Sequence, residues 1–348
     1  MLLLLLGICL GSLHPVYVHL FTRRSPGLHS LLPPGLTPAP ISTIPPFPSL
    51  PEPDAPIPDI VHYVYIKDQA EDLHYAIYLA VRSAMIKLQP DRIMFHCVRQ
   101  HPSGYWWDRL LEWEGAGGAG FAVEVVKARE VDWVGPGRTP VKHYAHKADI
   151  LRLEILLKYG GIYLDMDMFI IRPFAPYGLM RQDVVMGMEV GRLDPLLMLD
   201  GPGSDDGNHP NGLCNAVILA RPGAELLKRW LTTYEEGFQA IYWSYNSVQV
   251  PWLLAKLYPT LITVLSDQAF FWPIWSADDV KTIHETTEYD FLESGQLAYH
   301  AWGHLAMGYL VELDPETVQA RDTSFTRLLR TFQGKDEVAR WRSATEAD

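Results

Sequence analysis

Blocks of apolar and polar residues change period several times between residues 57 and 260. Short runs rich in Val, Ile, Tyr and Phe are typical of buried strands, and the segments between them repeat apolar residues every three or four positions, as amphipathic helices do. Strands are predicted at residues 58–66, 91–98, 121–128, 161–167, 183–190 and 213–220. Helices are predicted at residues 76–88, 104–115, 141–160, 223–238 and 245–258. This alternation predicts an α/β fold with a mostly parallel sheet flanked by helices.

The N-terminal 24 residues follow another pattern. The run MLLLLLGICLGSL is almost continuously apolar, PVYVHLF extends it to residue 21, and Arg23 and Arg24 follow. About 20 apolar residues predict a membrane anchor or, read shorter, the core of a cleavable signal peptide. We therefore expect the chain to contact a membrane through residues 1–24. Because the arginines follow the run, the orientation and cleavage of this segment stay open.

Proline marks the segment that follows. Twelve of the chain's 27 prolines lie between residues 25 and 58. Proline at this density favours an extended chain that cannot form a core, so residues 25–56 are predicted to be a stem. A folded domain is predicted at residues 57–313. Residues 314–348 carry many charges and are expected to form a peripheral tail.

Composition limits the classes of partner. A chain of 348 residues with 48% apolar residues can form a large core, and its net charge of −12 predicts no nucleic-acid partner, because phosphate backbones attract basic surfaces. The three cysteines are Cys9, in the N-terminal run, and Cys97 and Cys214, in predicted strands. This number fits no disulfide framework or zinc site. Two free buried thiols are favoured, and a disulfide between Cys97 and Cys214 is the alternative.

The segment YGGIYLDMDMF carries the clearest chemistry. Asp165 and Asp167 lie two residues apart near the end of a predicted strand, after the Gly160–Gly161 pair. Residues two apart on a strand share a face, and ligands of open α/β sheets bind beyond the carboxyl ends of strands. Two carboxylates suit Mg²⁺ or Mn²⁺ bound to substrate phosphates. The pattern predicts a metal–diphosphate site.

The helix before this strand supports the prediction. Asp149 and Arg152 are a polar pair three residues apart on an otherwise apolar helix. A bare pair of aspartates is common by chance, and a local ion pair on a helix is common too. The combination is more specific, and we expect Arg152 to orient Asp149 toward a sugar hydroxyl.

Together these residues resemble a known family, the glycosyltransferases whose sugar-binding region contains a D-x-D motif. Its members include initiating α-1,6-mannosyltransferases, inositol-phosphorylceramide mannosyltransferases and α-1,4-galactosyltransferases, and clostridial toxin glucosyltransferases share the local pattern. IPDIVHYVYI, CNAVILARPG and AYHAWGH resemble other segments of the family. The matching motif positions are Asp149, Arg152, Gly160, Gly161, Tyr163, Asp165 and Asp167.

The resemblance implies a GT-A-type nucleotide-diphospho-sugar transferase fold and retention of the anomeric configuration. It implies a metal, Mn²⁺ or Mg²⁺, held by Asp165 and Asp167, with His300 as a third ligand. Asn215 is expected near the anomeric carbon. The residues expected to bind the donor are Asp149, Arg152, Gly160, Gly161, Tyr63, Tyr65 and Tyr163.

The expected reaction moves a hexose from GDP-mannose or UDP-galactose to a glycan or lipid acceptor, in a single-pass Golgi or secretory-pathway protein with a lumenal catalytic domain. Neither the sugar nor the acceptor can be read from the chain, nor whether retention uses a nucleophile or front-face attack. The alternatives are a non-catalytic carbohydrate-binding protein on the same fold and a haloacid-dehalogenase-type phosphatase. The phosphatases carry Thr or Val where Phe169 stands.

Overall fold

The computed structural model describes residues 41–42, 55–112, 122–190 and 210–346. The predicted membrane segment and nearly all of the stem lie outside these residues. Within the described residues, no helix is both long and apolar enough to cross a bilayer.

The strands, numbered in chain order, divide into one large sheet and two pairs. They are β1 Ile41–Ser42, β2 Ile60–Tyr65, β3 Arg92–Cys97, β4 Ala122–Lys127, β5 Trp133–Val134, β6 Thr139–Pro140, β7 Gly161–Leu164, β8 Met168–Ile170, β9 Val184–Val190, β10 Pro210–Ala220, β11 Thr263–Leu265 and β12 Ala298–His300. The large sheet has the order β1-β11-β9-β10-β7-β2-β3-β4, while β8 pairs with β12 and β5 with β6.

The α-helices lie between these strands and after them. They are α1 Tyr75–Leu88, α2 Tyr105–Glu112, α3 Tyr144–Tyr159, α4 Glu225–Gly237, α5 Val250–Leu257, α6 Asp267–Phe270, α7 Ala277–Glu285, α8 Gly303–Leu310, α9 Pro315–Ala320, α10 Ser324–Arg330 and α11 Glu337–Thr345. A π-helical turn, Tyr245–Gln249, precedes α5, so the helix predicted at 245–258 begins with wider backbone geometry.

The large sheet is mixed, with mostly parallel strands. Strands β4, β3, β2 and β7 run parallel, as does the β9–β11 pair. Strand β10 runs antiparallel to both of its neighbours. The prediction of a mostly parallel sheet is therefore confirmed for the first half of the domain.

Helices cover both faces of the sheet, which explains why its strands are apolar on both sides. Helix α1 and the helices after β12 contribute to the core on one face. Helices α3, α4 and α5 contribute to the core on the other face. Cys97 and Cys214 are buried free thiols, as predicted.

The C-terminal segment differs from the expectation of a peripheral tail. Helices α9, α10 and α11 pack on the domain, and the ring of Phe325 lies 5.2 Å from that of Phe169. Glu337 is buried and accepts a hydrogen bond from the Tyr75 hydroxyl at 3.2 Å. The apolar residues of α10 recur at helical spacing, so this segment is part of the core despite its charges.

The turn between α3 and β7 depends on its two glycines. Gly160 and Gly161 have φ values of 64° and 104°, in the region that favours glycine. A Cβ on Gly161 would lie 2.5 Å from the Ile60 carbonyl oxygen. Two buried imidazoles support the turn, because His62 Nε2 bonds the Gly160 carbonyl at 2.7 Å and His62 Nδ1 bonds His96 Nε2 at 3.0 Å.

Candidate active site

The first aspartate of the D-x-D motif lies just beyond the carboxyl end of β7. The strand ends at Leu164, earlier than predicted, and residues 165–167 form a turn into β8. The Asp165 N–H donates to the Ala216 carbonyl at 2.9 Å, and its Oδ1 accepts a hydrogen bond from the Tyr163 hydroxyl at 2.7 Å. The two aspartates therefore converge through a turn instead of along one strand face.

The second aspartate is held by a segment 130 residues further along the chain. Strand β12 pairs with β8, which brings His300 opposite Met168. Asp167 Oδ1 lies 3.2 Å from His300 Nε2, and Asp167 Oδ2 accepts from the Gly303 N–H at 2.6 Å. Burial alone would raise the pKa of Asp167, but His300 and the Gly303 N–H lower that pKa to about 2.

The three predicted metal ligands are close together. Ligand atoms of Asp165, Asp167 and His300 all lie within 4.8 Å of one another. Burial opposes the charged form of His300, yet the Asp167 carboxylate raises the pKa of the imidazole. Two carboxylates and one imidazole are a ligand set that a divalent cation can bind.

Arg152 links this cluster to helix α3. Its guanidinium lies 3.2 Å from Asp149 Oδ1 and 3.2 Å from Asp165 Oδ1, and it donates to the Asn215 carbonyl at 2.7 Å. The same guanidinium lies 4.5 Å from the centre of the Tyr163 ring. Arg152 is buried, and the neighbouring carboxylates keep its pKa raised. It fixes the relative positions of the two carboxylates.

Asn215 also belongs to this group. Its amide donates to Asp149 Oδ1 at 2.7 Å, so that carboxylate has both Asn215 and Arg152 as partners. Burial raises the pKa of Asp149, while Arg152 and Asn215 act in the opposite direction. The predicted residues Asp149, Arg152, Tyr163, Asp165 and Asn215 thus form one connected network.

Other predicted donor-binding residues lie elsewhere. Gly160 and Gly161 are at the amino end of β7, four residues or roughly 13 Å from the aspartates, and they form the turn described above. Tyr63 is fully buried and stacks on Phe95 at 5.1 Å, which makes it a core residue. Tyr65 lies at the carboxyl end of β2, where its hydroxyl accepts from the Glu71 N–H at 3.3 Å.

Trp302 and Gly303 lie in the AYHAWGH segment, but no role beside the metal ligands was predicted for Gly303 from the sequence. Trp302 has a left-handed φ of 52°, and its indole N–H donates to the Pro273 carbonyl at 3.2 Å. This geometry aims the Gly303 N–H at Asp167. A Cβ on Gly303 would lie 2.9 Å from Asp167 Oδ2, and the signal in the sequence was a glycine three residues after His300.

Comparisons with known proteins match the segment that carries these residues. The family model described as a glycosyltransferase sugar-binding region containing a DXD motif matches residues 92–186. Glucan organizing enzyme 1 of Cryptococcus neoformans var. grubii is 41% identical over 301 residues, which are 83% of this chain and 76% of that protein. The chain belongs to this family. It is a glycosyltransferase, which sets aside the phosphatase and non-catalytic alternatives.

Two more distant matches either cover a small part of the other protein or superpose with a low TM-score. Subversion of eukaryotic traffic protein A of Legionella pneumophila is 27% identical to the transferase over 128 residues, 33% of this chain and 17% of that one. A solved galactosyltransferase, LgtC, in complex with donor and acceptor sugar analogues, is 16% identical, with 82% of this chain and 99% of that chain covered. Its TM-score is 0.39, so the family assignment rests on the sequence matches.

Proposed function

We propose that this transferase moves a hexose from a nucleotide-diphospho-sugar to a glycan, with a divalent metal and with retention of the anomeric configuration, on a GT-A-type fold. The observation that carries the proposal is the convergence of Asp165, Asp167 and His300 beside the Arg152–Asp149–Asn215 network. GDP-mannose and UDP-galactose are the proposed donors.

The ligand set supports a metal and favours Mn²⁺. Mg²⁺ prefers oxygen ligands in an octahedral arrangement, whereas an imidazole nitrogen beside two carboxylates suits Mn²⁺ better. Asp165, Asp167 and His300 would hold the ion, which would neutralise negative charge on the diphosphate as it leaves. The lowered pKa of Asp167 supports this role because it favours the ionised carboxylate, which is the form that binds a metal.

The residues of α3 then position the sugar. Arg152 holds Asp149 and Asp165 at fixed separation, and its charge offsets the two carboxylates. Asp149 offers a carboxylate to sugar hydroxyls, and Asn215 orients that carboxylate through a 2.7 Å hydrogen bond. Such fixed dipoles need no reorganisation during the reaction, which is the main source of electrostatic catalysis.

Tyr65 is the proposed base-stacking residue. It is the last residue of β2, at the carboxyl edge of the sheet, where nucleotides bind in α/β folds. Both side chains are largely buried, but Tyr63 is fully buried and stacks on Phe95, whereas Tyr65 is 7% exposed. The two tyrosines differ in position along β2, and only Tyr65 is at the end that faces the site.

A glycan acceptor is proposed over a lipid. The 41% identical relative is named for organising glucan, and a polysaccharide acceptor is consistent with that name. We also propose a membrane-bound location in the Golgi or secretory pathway. This rests on the apolar N-terminal sequence, which lies outside the described residues.

Donor binding tests the proposal. The full chain would be titrated with GDP-mannose, UDP-galactose, UDP-glucose and UDP-N-acetylglucosamine by calorimetry, with and without Mn²⁺. Metal-dependent binding of one donor, followed by transfer to oligosaccharides, is the expected result. Binding of none of them by a folded protein would refute the proposal, and transfer to a lipid would replace the glycan acceptor.

A further inference from the structure

One buried histidine beside the proposed sugar site has no hydrogen-bond partner. His146 is 2% exposed, and neither ring nitrogen has a partner among the described residues. Leaving a buried polar group unpaired costs about 1–3 kcal/mol. Both ring nitrogens of this buried imidazole are therefore available to a bound molecule.

The position of His146 on α3 relates it to the site. His146, Asp149 and Arg152 follow one another at three-residue intervals along the helix, so they lie on neighbouring turns. The six residues from Arg152 to His146 span roughly 9 Å along the helix axis. Arg152 contacts Asp165, so of these three residues His146 lies farthest along the helix from the metal cluster.

The surroundings of His146 suit a sugar. Its ring lies 5.4 Å from those of His143 and Phe238 and 5.8 Å from that of Trp243. Trp243 is 60% exposed, which connects the buried imidazole to the surface. Buried Tyr234, whose ring lies 5.9 Å from that of Phe238, belongs to the same group, and its hydroxyl interacts with the Asp149 carboxylate. Aromatic faces with a few polar atoms aimed between them are the usual lining of a small-molecule pocket.

We infer that His146 reads a hydroxyl of the transferred sugar on the edge remote from the anomeric carbon. This rests on the proposed function, since the diphosphate at Asp165, Asp167 and His300 fixes which end of the sugar reaches Asp149 and then His146. In a hexopyranose the remote hydroxyls are those at C4 and C6. For the hexose of the proposed function, a donor that lacks the contacted hydroxyl is a poor substrate.

The test compares complete and truncated donors. Affinity for the best hexose donor, for its 4-deoxy and 6-deoxy analogues and for the nucleoside diphosphate alone is measured with Mn²⁺ on the full chain. Wild type is expected to bind one deoxy analogue at least tenfold more weakly than the complete donor. His146→Ala is expected to lose this discrimination and to bind the nucleoside diphosphate unchanged.

Two further variants separate recognition from folding. His146→Gln keeps a donor and an acceptor and should retain part of the discrimination. His284→Ala is the matched control, because His284 is also buried with an unpartnered Nε2 but stacks on Tyr309, outside the network described above. It should leave the discrimination intact, and thermal melting reports the folding of each variant.

The possible outcomes are distinct. Equal discrimination in wild type and His146→Ala, or none in wild type, would overturn the inference while leaving the proposed function in place. Absence of Mn²⁺-dependent nucleoside diphosphate binding in wild type would overturn the proposed function, and the inference with it.

Discussion

Strand β7 has a histidine near each end, and the two have different partners. At the carboxyl end, His300 lies 3.2 Å from the Asp167 carboxylate. At the amino end, His62 lies 3.0 Å from the imidazole of His96. Burial lowers the pKa of His62 to about 4, whereas Asp167 overcomes burial and raises the pKa of His300.

The contrast shows that the partner, more than burial, sets the charge of a histidine in this fold. The carboxyl end holds a carboxylate and an imidazole that a metal can bind when the imidazole has released its proton. The amino end is neutral and fully hydrogen-bonded, and it supports the turn at Gly160. Changes at the first end should therefore affect activity, and changes at the second should affect stability.

The largest expected effect is on activity, from Asp167→Asn. The amide keeps the size of the side chain but removes the charge that a divalent metal needs. We expect kcat/KM to fall about 1,000-fold, equivalent to about 4 kcal/mol, in steady-state kinetics with saturating Mn²⁺. His62→Gln is the matched control, and an equal loss of activity in that variant would remove the distinction between the two ends.

The next effect is on stability, from His62→Ala. This change leaves a cavity and removes the partner of both the Gly160 carbonyl and His96. The free energy of unfolding should fall by about 3–4 kcal/mol in urea titrations. Activity per folded molecule should change little. An unaltered unfolding midpoint would show that the pair does not stabilise the turn.

Acid should weaken the amino end specifically. The pKa of His62 is about 4 in the fold and 6.5 in the unfolded chain, so the unfolded chain binds its proton at higher pH. The contribution is complete above pH 6.5 and is lost as the pH falls toward 4, about 3 kcal/mol in all. Unfolding measured across this range should show a shallower pH slope in His62→Gln, and parallel slopes would contradict the assignment.

Two glycine substitutions give the smallest effects and compare the ends directly. Gly161→Ala places a Cβ against the Ile60 carbonyl at a φ of 104°, so it should cost about 1–2 kcal/mol of stability. Gly303→Ala crowds Asp167 Oδ2 and should lower activity about tenfold, with little change in melting temperature. A loss of activity in Gly161→Ala together with a loss of stability in Gly303→Ala would contradict the functional difference between the two ends of β7.

Much of the fold and part of the site could be predicted from local pattern. The strand–helix alternation is a local pattern. Asp149, Arg152, Asp165 and Asp167 lie within 19 consecutive residues, so their association could also be predicted from the sequence. Donor roles for Gly160, Gly161 and Tyr63 rested on the resemblance to family segments, which does not show where each side chain lies. Residues that are close in sequence can lie at opposite ends of a strand or in the core. Local spacing does not reveal which of them reach the site.

The remaining features depend on long-range contacts. The Gly303 N–H reaches Asp167 only because β12 pairs with β8 and Trp302 has a left-handed φ. The C-terminal segment was expected to be peripheral because it carries many charges. Apolar residues such as Phe325, Leu328 and Phe332 nevertheless recur there at helical spacing. Net charge describes the surface of a helix and says little about its buried face.

Manganese binding tests the central claim most directly. Electron paramagnetic resonance would follow the titration of Mn²⁺ into the full chain with UDP or GDP present, for wild type, Asp167→Asn and His62→Gln. One tightly bound Mn²⁺ per chain is expected in wild type and His62→Gln, and none in Asp167→Asn. Stoichiometric binding that persists in Asp167→Asn, or no binding in wild type, would contradict a metal site at Asp165, Asp167 and His300.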